Sequence, residues 1–311
     1  MKALATPSYI PLEELAVMEV ADPVPGPGQL LLRVRAAALN PLDVKLITGE
    51  YAHLFAVRHP FVVGMDAAGT VAAVGEGVSG YAVGDEVVAY THFDPGAIAE
   101  YTLVAEGPQV AHRPAGLDAV TGAALPSVAL SAGCVLDAAR LGPGDDLLVI
   151  GATGGVGSIT VQLAAQARAE VIGTATAADA AYVLGLGARA TIDHTATETV
   201  EEALRLRPGG FDVVVDLVHT GTGLVSTAAA VKPGGRLIST LFGPDDLGGD
   251  VTVVYVRMSP QAGRLRRFAD QAATGRLTVE VVRTAPLADA PKAVADFAAG
   301  VHTRGKVVIT L

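Results

Sequence analysis

The stretch that decides the fold of this protein is residues 145–157, which read DDLLVIGATGGVG. Its first half is a charged start followed by four apolar residues, a pattern that predicts a buried β-strand. Its second half is rich in glycine, and residues 158–168 are suited to a helix. Glycines between a strand and a helix let the backbone approach a pyrophosphate, whose negative charge then lies on the free amides at the helix N-terminus. The stretch therefore predicts a dinucleotide-binding Rossmann unit, although Thr153 replaces the middle glycine of the strict G-x-G-x-x-G pattern.

The rest of the chain divides around this unit into two domains. Residues before about 117 read as short strands separated by glycine and proline turns, which predicts a β-rich domain. From about 118 helical patterns alternate with apolar strands, the pattern typical of a parallel sheet covered on both faces. We expect strands at 147–150, 170–173, 190–193, 211–215 and 236–240, then a strand at 251–256, a helix at 265–274, a strand at 277–283 and a final strand at 306–310. The fold class is α/β.

Composition excludes several classes of protein. Half of the 311 residues are hydrophobic and 17% are charged, so a disordered chain is excluded. The formal net charge of -10 provides no basic patch for nucleic acid and no polybasic segment for a membrane surface. No apolar run approaches the roughly 20 residues that span a bilayer, and no apolar secretory leader is seen, so we expect a cytoplasmic protein. The single cysteine, Cys134, is expected to be a buried thiol.

The choice of dinucleotide depends on the end of the second Rossmann strand. NAD-binding sequences usually place an acid there, on the ribose hydroxyls, but residues 174–176 are Thr-Ala-Thr. This favours NADPH, with Thr174 or Thr176 donating hydrogen bonds to its extra phosphate. Two observations oppose it, since no Arg or Lys lies nearby and Asp179 is close enough to serve as a displaced ribose ligand. NADH therefore stays open. The pyrophosphate is expected to lie against Thr153, Gly154, Gly155 and Val156.

Several ordered segments resemble the quinone oxidoreductase branch of the medium-chain dehydrogenase/reductase superfamily, the branch related to ζ-crystallin. They are ALNPLDVK at 38–45, HPFVVGMDAAG at 59–69, VGEGV at 74–78 with VGDEV at 83–87, GAIAEY at 96–101, the glycine loop and HTRGKVV at 302–308. The resemblance covers nearly the whole chain. It implies a GroES-like catalytic domain of residues 1–117 and 257–311, a Rossmann domain of residues 118–256 and an active site in the cleft between them. It also implies a homodimer in which the 251–256 strand extends the sheet across the interface, although a strand buried within one subunit fits the sequence equally well.

The resemblance also implies chemistry without zinc. Zinc-dependent members need thiolate and imidazole ligands, but Asn40 takes the place of the first cysteine and Gly64-Met65-Asp66 that of Gly-His-Glu. The chemistry best suited is hydride delivery from NADPH to an acceptor already electron-poor, a quinone or an α,β-unsaturated carbonyl. Two alternatives remain: an enoyl reductase of a biosynthetic pathway, and a dinucleotide-binding sensor or structural protein with little turnover.

The resemblance implies the remaining site residues. Asn40 matches an asparagine beside the nicotinamide, where its amide orients the ring or the acceptor oxygen. Tyr51 matches a tyrosine that either donates a hydrogen bond or proton to the acceptor or only packs at the cleft. Asp43 and Lys45 are expected to be solvated. The other expected cofactor contacts are Ser131 near the nicotinamide phosphate, His194 near the adenosine phosphate, Val218, Leu241 and Phe242 at strand ends, and Arg304 and Lys306 from the C-terminal return.

Overall fold

The structure is a computed structural model that describes residues 1–93, 95–302 and 304–311. Asp94 lies outside the described residues, and so does Thr303, which belongs to the segment 302–308 that carries the resemblance. The chain forms two compact units. Unit 1 is Met1–Ser127 with Pro260–Leu311, and unit 2 is Val128–Ser259. The domain boundaries drawn from the sequence stay predictions.

The regular elements follow one another in this order: β1 Lys2–Thr6, β2 Ala16–Glu19, β3 Gln29–Ala38, α1 Pro41–Thr48, β4 Phe61–Val62, β5 Asp66–Val74, β6 Glu86–Tyr90, β7 Tyr101–Ala105, β8 Val110–His112, α2 Ala119–Ala124, α3 Pro126–Ala139, β9 Asp146–Ile150, α4 Gly155–Gln166, β10 Glu170–Ala175, α5 Ala180–Gly185, β11 Ala190–Asp193, α6 Thr199–Leu206, β12 Phe211–Asp216, α7 Thr222–Ala228, β13 Val231–Ser239, β14 Thr252–Tyr255, α8 Arg264–Ala273, β15 Val281–Pro286, α9 Ala290–Ala298 and β16 Lys306–Thr310. Short 3₁₀ turns lie at Leu12–Glu14 and Leu287–Asp289.

Unit 1 is built on a β-rich core, as the sequence predicts. Its larger sheet has the strand order β15-β16-β3-β5-β6-β8, with β7 also paired to β3, and a smaller sheet has the order β2-β1-β4. Strand β3 alternates buried Leu30, Leu32 and Val34 with more exposed neighbours, because successive side chains point to opposite faces. The last strand, β16, pairs antiparallel with β3 so that Val308 lies opposite Ala38. This pairing brings the C-terminal strand next to the residues that precede α1.

Unit 2 is a Rossmann fold. Its six strands have the order β11-β10-β9-β12-β13-β14, and every pair is parallel. Numbered from β9, this order is 3-2-1-4-5-6, the doubly wound dinucleotide-binding topology. All four apolar residues of β9, 147–150, are buried, as expected for a central strand covered on both faces. The order reverses between β9 and β12, and ligands bind such sheets outside the carboxyl ends of the strands at this point.

One predicted strand is wrong in its first half. Strand β15 begins at Val281, whereas the sequence pattern starts it at 277. The amides of Arg276 and Leu277 donate to the Gln271 carbonyl, and Gly275 has φ +71, so these residues form the C-terminal cap of α8. Amides used in a cap are not available to a strand ladder. Within the described parts of the chain, no helix combines the length and apolar character needed to cross a membrane.

Candidate active site

The glycine loop between β9 and α4 has the geometry of an anion cradle. Gly151 has φ +86, and a Cβ at Gly157 would overlap the Gly151 carbonyl oxygen and lie 2.8 Å from its carbonyl carbon. Glycine is therefore required where the first turn of α4 packs on the loop. At Gly154 an added Cβ would meet only the Gly151 oxygen, at 3.5 Å, so space is open beside the backbone. The first-turn amides of α4, from Gly155 onwards, have no acceptor within the helix, and the loop fits a dinucleotide pyrophosphate.

A residue near the end of β10 holds the glycine loop through a hydrogen bond. The Gly151 amide donates to Thr174 Oγ1 at 2.9 Å, and the Thr174 side chain is buried. Thr174 thus holds the loop in place, a role that the sequence did not predict. Beyond the strand, the Thr176 hydroxyl donates to Asp179 Oδ2 at 3.1 Å, and Asp179 is only 5% exposed. The acid that was considered as a ribose ligand is therefore buried and hydrogen-bonded to its neighbour.

The end of β12 lies beside the same loop. Asp216 is fully buried and accepts hydrogen bonds from the amides of Val218 at 3.0 Å and His219 at 2.9 Å. His219 Nδ1 lies 2.9 Å from the second oxygen of Asp216. These contacts shape the turn so that Val218 is exposed and its Cγ2 would lie 2.9 Å from a Cβ at Gly151. Val218 and the glycine loop are therefore brought together, as a shared cofactor surface requires.

The other predicted contacts of unit 2 are more dispersed. Leu241 and Phe242 come shortly after β13, which ends at Ser239. The Leu241 amide donates to Ser239 Oγ at 3.0 Å, and Phe242 is partly exposed. His194 is exposed after β11, and Ser131 is half-buried on α3. Three of these residues follow strands and Ser131 lies within α3, and the roles of all four stay predictions.

In unit 1 the structure shows a buried polar cluster around Asn40. Asn40 Oδ1 accepts hydrogen bonds from Lys306 Nζ at 2.6 Å and from Ser127 Oγ at 3.0 Å, while Asn40 Nδ2 donates to Asp66 Oδ2 at 2.9 Å. Lys306 Nζ also donates to the Leu39 carbonyl at 2.6 Å and lies 3.7 Å from Asp66 Oδ2. Lys306 and Asp66 are each less than 5% exposed. The Lys306 side chain, which was predicted to contact the cofactor, is engaged inside unit 1.

Asp43 belongs to the same cluster, and the expectation that it is solvated is wrong. Its carboxylate accepts hydrogen bonds from the Asn40 amide at 2.7 Å and the Gly64 amide at 3.2 Å. Asp43 therefore caps α1 from within, three residues after Asn40. Burial raises the pKa of Asp43 to about 7, while burial lowers the pKa of Lys306 from its usual value. Asp43 therefore adds a second buried carboxyl group near the Lys306 ammonium, beside Asp66.

Tyr51 lies on an aromatic surface after α1. Gly49 ends the helix with φ 76, and a Cβ there would lie 2.8 Å from the Tyr9 ring, so the turn requires glycine. The half-buried Tyr51 ring lies 6.5 Å from the Phe55 ring, which in turn lies 5.6 Å from the Phe93 ring. A planar acceptor could stack on such a surface. Whether the phenol donates a proton stays a prediction.

The remaining predicted residues give a limited further picture. Arg304 Nε lies 3.3 Å from Glu280 Oε1, so its guanidinium is paired beside β16. Cys134 is buried, as expected, and its thiol lies 3.6 Å from the Ser259 carbonyl. Among the residues that the structure describes, no three His, Cys, Asp or Glu side chains are grouped to hold a metal ion.

The Rossmann unit, the β-rich unit and the cluster at Asn40 define a dehydrogenase/reductase of two units, and comparison with known proteins agrees. Residues 26–135 match the alcohol dehydrogenase GroES-like domain, and residues 186–309 match the zinc-binding dehydrogenase family. A chloroplast envelope quinone oxidoreductase homolog of Arabidopsis thaliana is 30% identical over 94% of this chain and 92% of its own length. The chain belongs to the quinone oxidoreductase branch of the medium-chain dehydrogenase/reductase superfamily.

Further relatives and solved structures carry related names. A chloroplastic quinone-oxidoreductase homolog of Spinacia oleracea is 38% identical over 68% of this chain, but the match spans only 65% of that protein. A 2-methylene-furan-3-one reductase of Solanum lycopersicum is 34% identical over 78% of this chain and 66% of its own length. The solved quinone oxidoreductase of Coxiella burnetii superposes with TM-score 0.88 at 26% identity, covering 100% of this chain and 99% of that one. A solved NAD-dependent alcohol dehydrogenase superposes with TM-score 0.87 at 29% identity, with both chains fully covered.

Sequence reasoning missed the polar partners of Asn40. The sequence identifies Asp66 only as the residue in place of a zinc-associated glutamate, and it predicts no role for Ser127. A signal was present for Asp66, because an acid that ends the apolar stretch FVVGMD and opens a strand is unusual in a core and needs a buried partner. The partner, Lys306, lies 240 residues later in the chain, at a distance that local patterns do not reach.

Proposed function

We propose that this protein uses NADPH to reduce a quinone or an α,β-unsaturated carbonyl without a metal. The observation that carries the proposal is the glycine loop at the carboxyl end of β9, where a Cβ at Gly157 would overlap the Gly151 carbonyl and the first-turn amides of α4 have no acceptor within the helix. A bound nicotinamide dinucleotide supplies a hydride, so an electron-poor acceptor needs only binding, orientation and one proton. The names of the quinone and furanone reductases among the relatives support this acceptor class.

The residues of the chain supply position and polarity. The loop amides and Thr153, Gly154, Gly155 and Val156 bind the pyrophosphate, and Val218 packs beside them. Asn40 is held in a buried cluster whose polarity suits a developing negative charge on an acceptor oxygen. Tyr51 donates to the acceptor from the aromatic surface that it forms with Phe55. The proton that completes the reduction comes from Tyr51 or from water.

Preference for NADPH over NADH rests on the end of β10. An acid that binds both ribose hydroxyls is the usual NAD signature, but Thr176 occupies that end and the Asp179 carboxylate is buried against it. The opposing observation is that residues 177, 178 and 180 are alanines, which provide no cation for the extra phosphate. The name of the NAD-dependent structural neighbour also supports NADH.

We further propose that the protein is a homodimer in the cytoplasm. Strand β14 is the last strand of its sheet and pairs only with β13 among the described residues. Such an edge presents unpaired backbone groups that a second copy can cover. The chloroplast names of two relatives point to a different compartment for those proteins.

The experiment measures oxidation of NADPH and NADH by loss of absorbance with a panel of quinones and enones. The parent protein is compared with Asn40→Ala, Tyr51→Phe and the matched control Tyr101→Phe, which alters a tyrosine on β7. We expect acceptor-dependent loss of NADPH, a kcat about 100-fold lower for Asn40→Ala and a parent-like rate for Tyr101→Phe. Tight NADPH binding without turnover on any acceptor would favour the sensor alternative. Turnover confined to acyl-thioester enoyl acceptors would favour the biosynthetic enoyl reductase.

A further inference from the structure

The carboxamide of Asn40 has almost no freedom left within its cluster. Its oxygen accepts from Lys306 Nζ at 2.6 Å and lies 3.0 Å from Ser127 Oγ, whose one hydrogen also has Asp66 Oδ2 within reach at 2.5 Å. Its nitrogen donates one hydrogen to Asp66 Oδ2. A carboxamide nitrogen carries two hydrogens, so a single N–H remains without a partner among the described residues.

The chemistry of the partners fixes which way the carboxamide points. An ammonium can only donate a hydrogen bond and a carboxylate can only accept one, so the atom next to Lys306 must be oxygen and the atom next to Asp66 must be nitrogen. The reverse orientation would place N–H groups against the ammonium and the amide oxygen against the carboxylate. Asn40 therefore turns its oxygen toward the ammonium and keeps one N–H that can donate a hydrogen bond outside the cluster.

The fold builds this arrangement from distant parts of the chain. Strand β16 pairs with β3, and the Leu39 amide donates to the Val307 carbonyl at 2.9 Å, which places Lys306 beside Asn40. The Asp66 carboxylate is fixed by the Ser127 amide at 2.8 Å at the start of α3. A buried ion pair contributes little net stability because desolvation offsets the attraction between the charges. The cluster is therefore better explained by the orientation that it imposes than by the stability that it adds.

We propose that Lys306 and Asp66 are positioning residues that fix the Asn40 carboxamide so that its remaining N–H donates to the oxygen of the acceptor. The inference rests on the proposed reductase function. When a hydride adds to the acceptor carbon, the π-electron pair moves through the conjugated system to oxygen, and the Asn40 N–H donates to that oxygen. A proton from Tyr51 or water then completes the two-electron reduction. This assigns the free N–H of Asn40 to the acceptor oxygen.

The test is a double-mutant cycle on kcat with NADPH and a reactive quinone. Lys306→Met removes the donor at similar length, Asn40→Ala removes the amide, and the double variant combines them. Lys292→Met, at an exposed lysine on α9 paired with Asp296, is the matched control. We expect Lys306→Met to lower kcat about 10- to 100-fold with the Kd for NADPH unchanged, and the double variant to be no slower than Asn40→Ala alone.

The outcomes distinguish the positioning role of Lys306 from the proposed reductase function. Parent-like kcat in Lys306→Met, or losses that multiply in the double variant, would overturn the positioning role while an active parent leaves the proposed function intact. A parent inactive with every acceptor would overturn the proposed function and the inference with it. If circular dichroism shows that Lys306→Met does not fold, Asp66→Asn replaces it in the same cycle. That isosteric change lets the Asn40 amide turn over and is expected to lower kcat in the same non-additive way.

Discussion

Asp43 is a buried carboxyl group whose ionisation should be measurable as a change in protein stability with pH. Its neighbours are the Asn40 and Gly64 amides, which donate to it, the Lys306 ammonium and the Asp66 carboxylate. Burial raises its pKa from 3.8 to about 7 in the folded protein. An acid whose pKa rises on folding keeps its proton in the native state over a range where the unfolded chain has lost it. Stability therefore falls as pH rises between these two values, and levels off above the folded pKa.

The size of the effect follows from the shift. Each pKa unit corresponds to about 1.4 kcal/mol, so a shift of roughly three units predicts a loss of about 4 kcal/mol between pH 4 and pH 8. The variant Asp43→Asn has no charge to gain and lacks this loss. At pH 4 the variant should be the less stable protein by about 1–3 kcal/mol, because one of the two backbone amides now faces an NH₂ group. At pH 8 the order should be reversed.

The assay is urea unfolding followed by circular dichroism, with parent and Asp43→Asn compared at half-unit steps from pH 4 to pH 8. Asp137→Asn on α3 is the control for removing a carboxylate from unit 2. The parent should have the higher free energy of unfolding at pH 4, and Asp43→Asn should have the higher value at pH 8. A difference that stays constant with pH would refute the reasoning, because Asp43 would then ionise like a carboxyl group in water.

Three further predictions concern the cofactor and the assembly. Gly157→Ala should weaken NADPH binding by at least 100-fold in fluorescence titrations, since the new Cβ overlaps the Gly151 carbonyl. The same change at Gly209, in a turn before β12 with open space around it, should leave binding near the parent value. Ala178→Arg should raise the ratio of kcat/KM for NADPH over NADH about fivefold, because it adds a cation where the extra phosphate is expected; an unchanged ratio would place that phosphate elsewhere. Val253→Pro should convert a dimer into a monomer in light scattering. The Val256 amide donates to the Ser239 carbonyl of β13, and because amides alternate in direction along a strand, the Val253 amide points to the open edge of β14. A dimer that persists would refute the edge interface.

Local sequence patterns predicted most of the fold because its signals are local. Strands β11 and β16 begin and end where the alternation of apolar and turn residues places them. The glycine loop could be identified because strand, turn and helix follow one another directly. The sequence pattern was wrong at 277–280, where the residues resemble a strand but the Leu277 amide donates to the end of α8. The periodicity of apolar residues in a sequence does not show which carbonyl oxygen will accept a hydrogen bond from a given amide.

The candidate site was only partly predictable, for a related physical reason. Asn40 and Tyr51 were identified from motifs, but the contacts that orient Asn40 come from β5, α3 and β16. Asp43 was expected in solvent because a charged residue on a short helix usually is, and its burial depends on the Gly64 amide across the core. Tertiary packing decides these positions, and the residues that supply it lie far apart in the chain.

The central claim is that this protein moves a hydride from NADPH to carbon of an electron-poor acceptor. The most direct measurement is a reaction with NADPH deuterated at nicotinamide C4 on one face at a time, with an enone as acceptor, followed by mass spectrometry of the product. An enone is chosen because deuterium that reaches its β-carbon does not exchange with water. The account predicts one deuterium at that carbon from one face of the label and none from the other. A reduced product without deuterium from either face, or no reduced product at all, would contradict it.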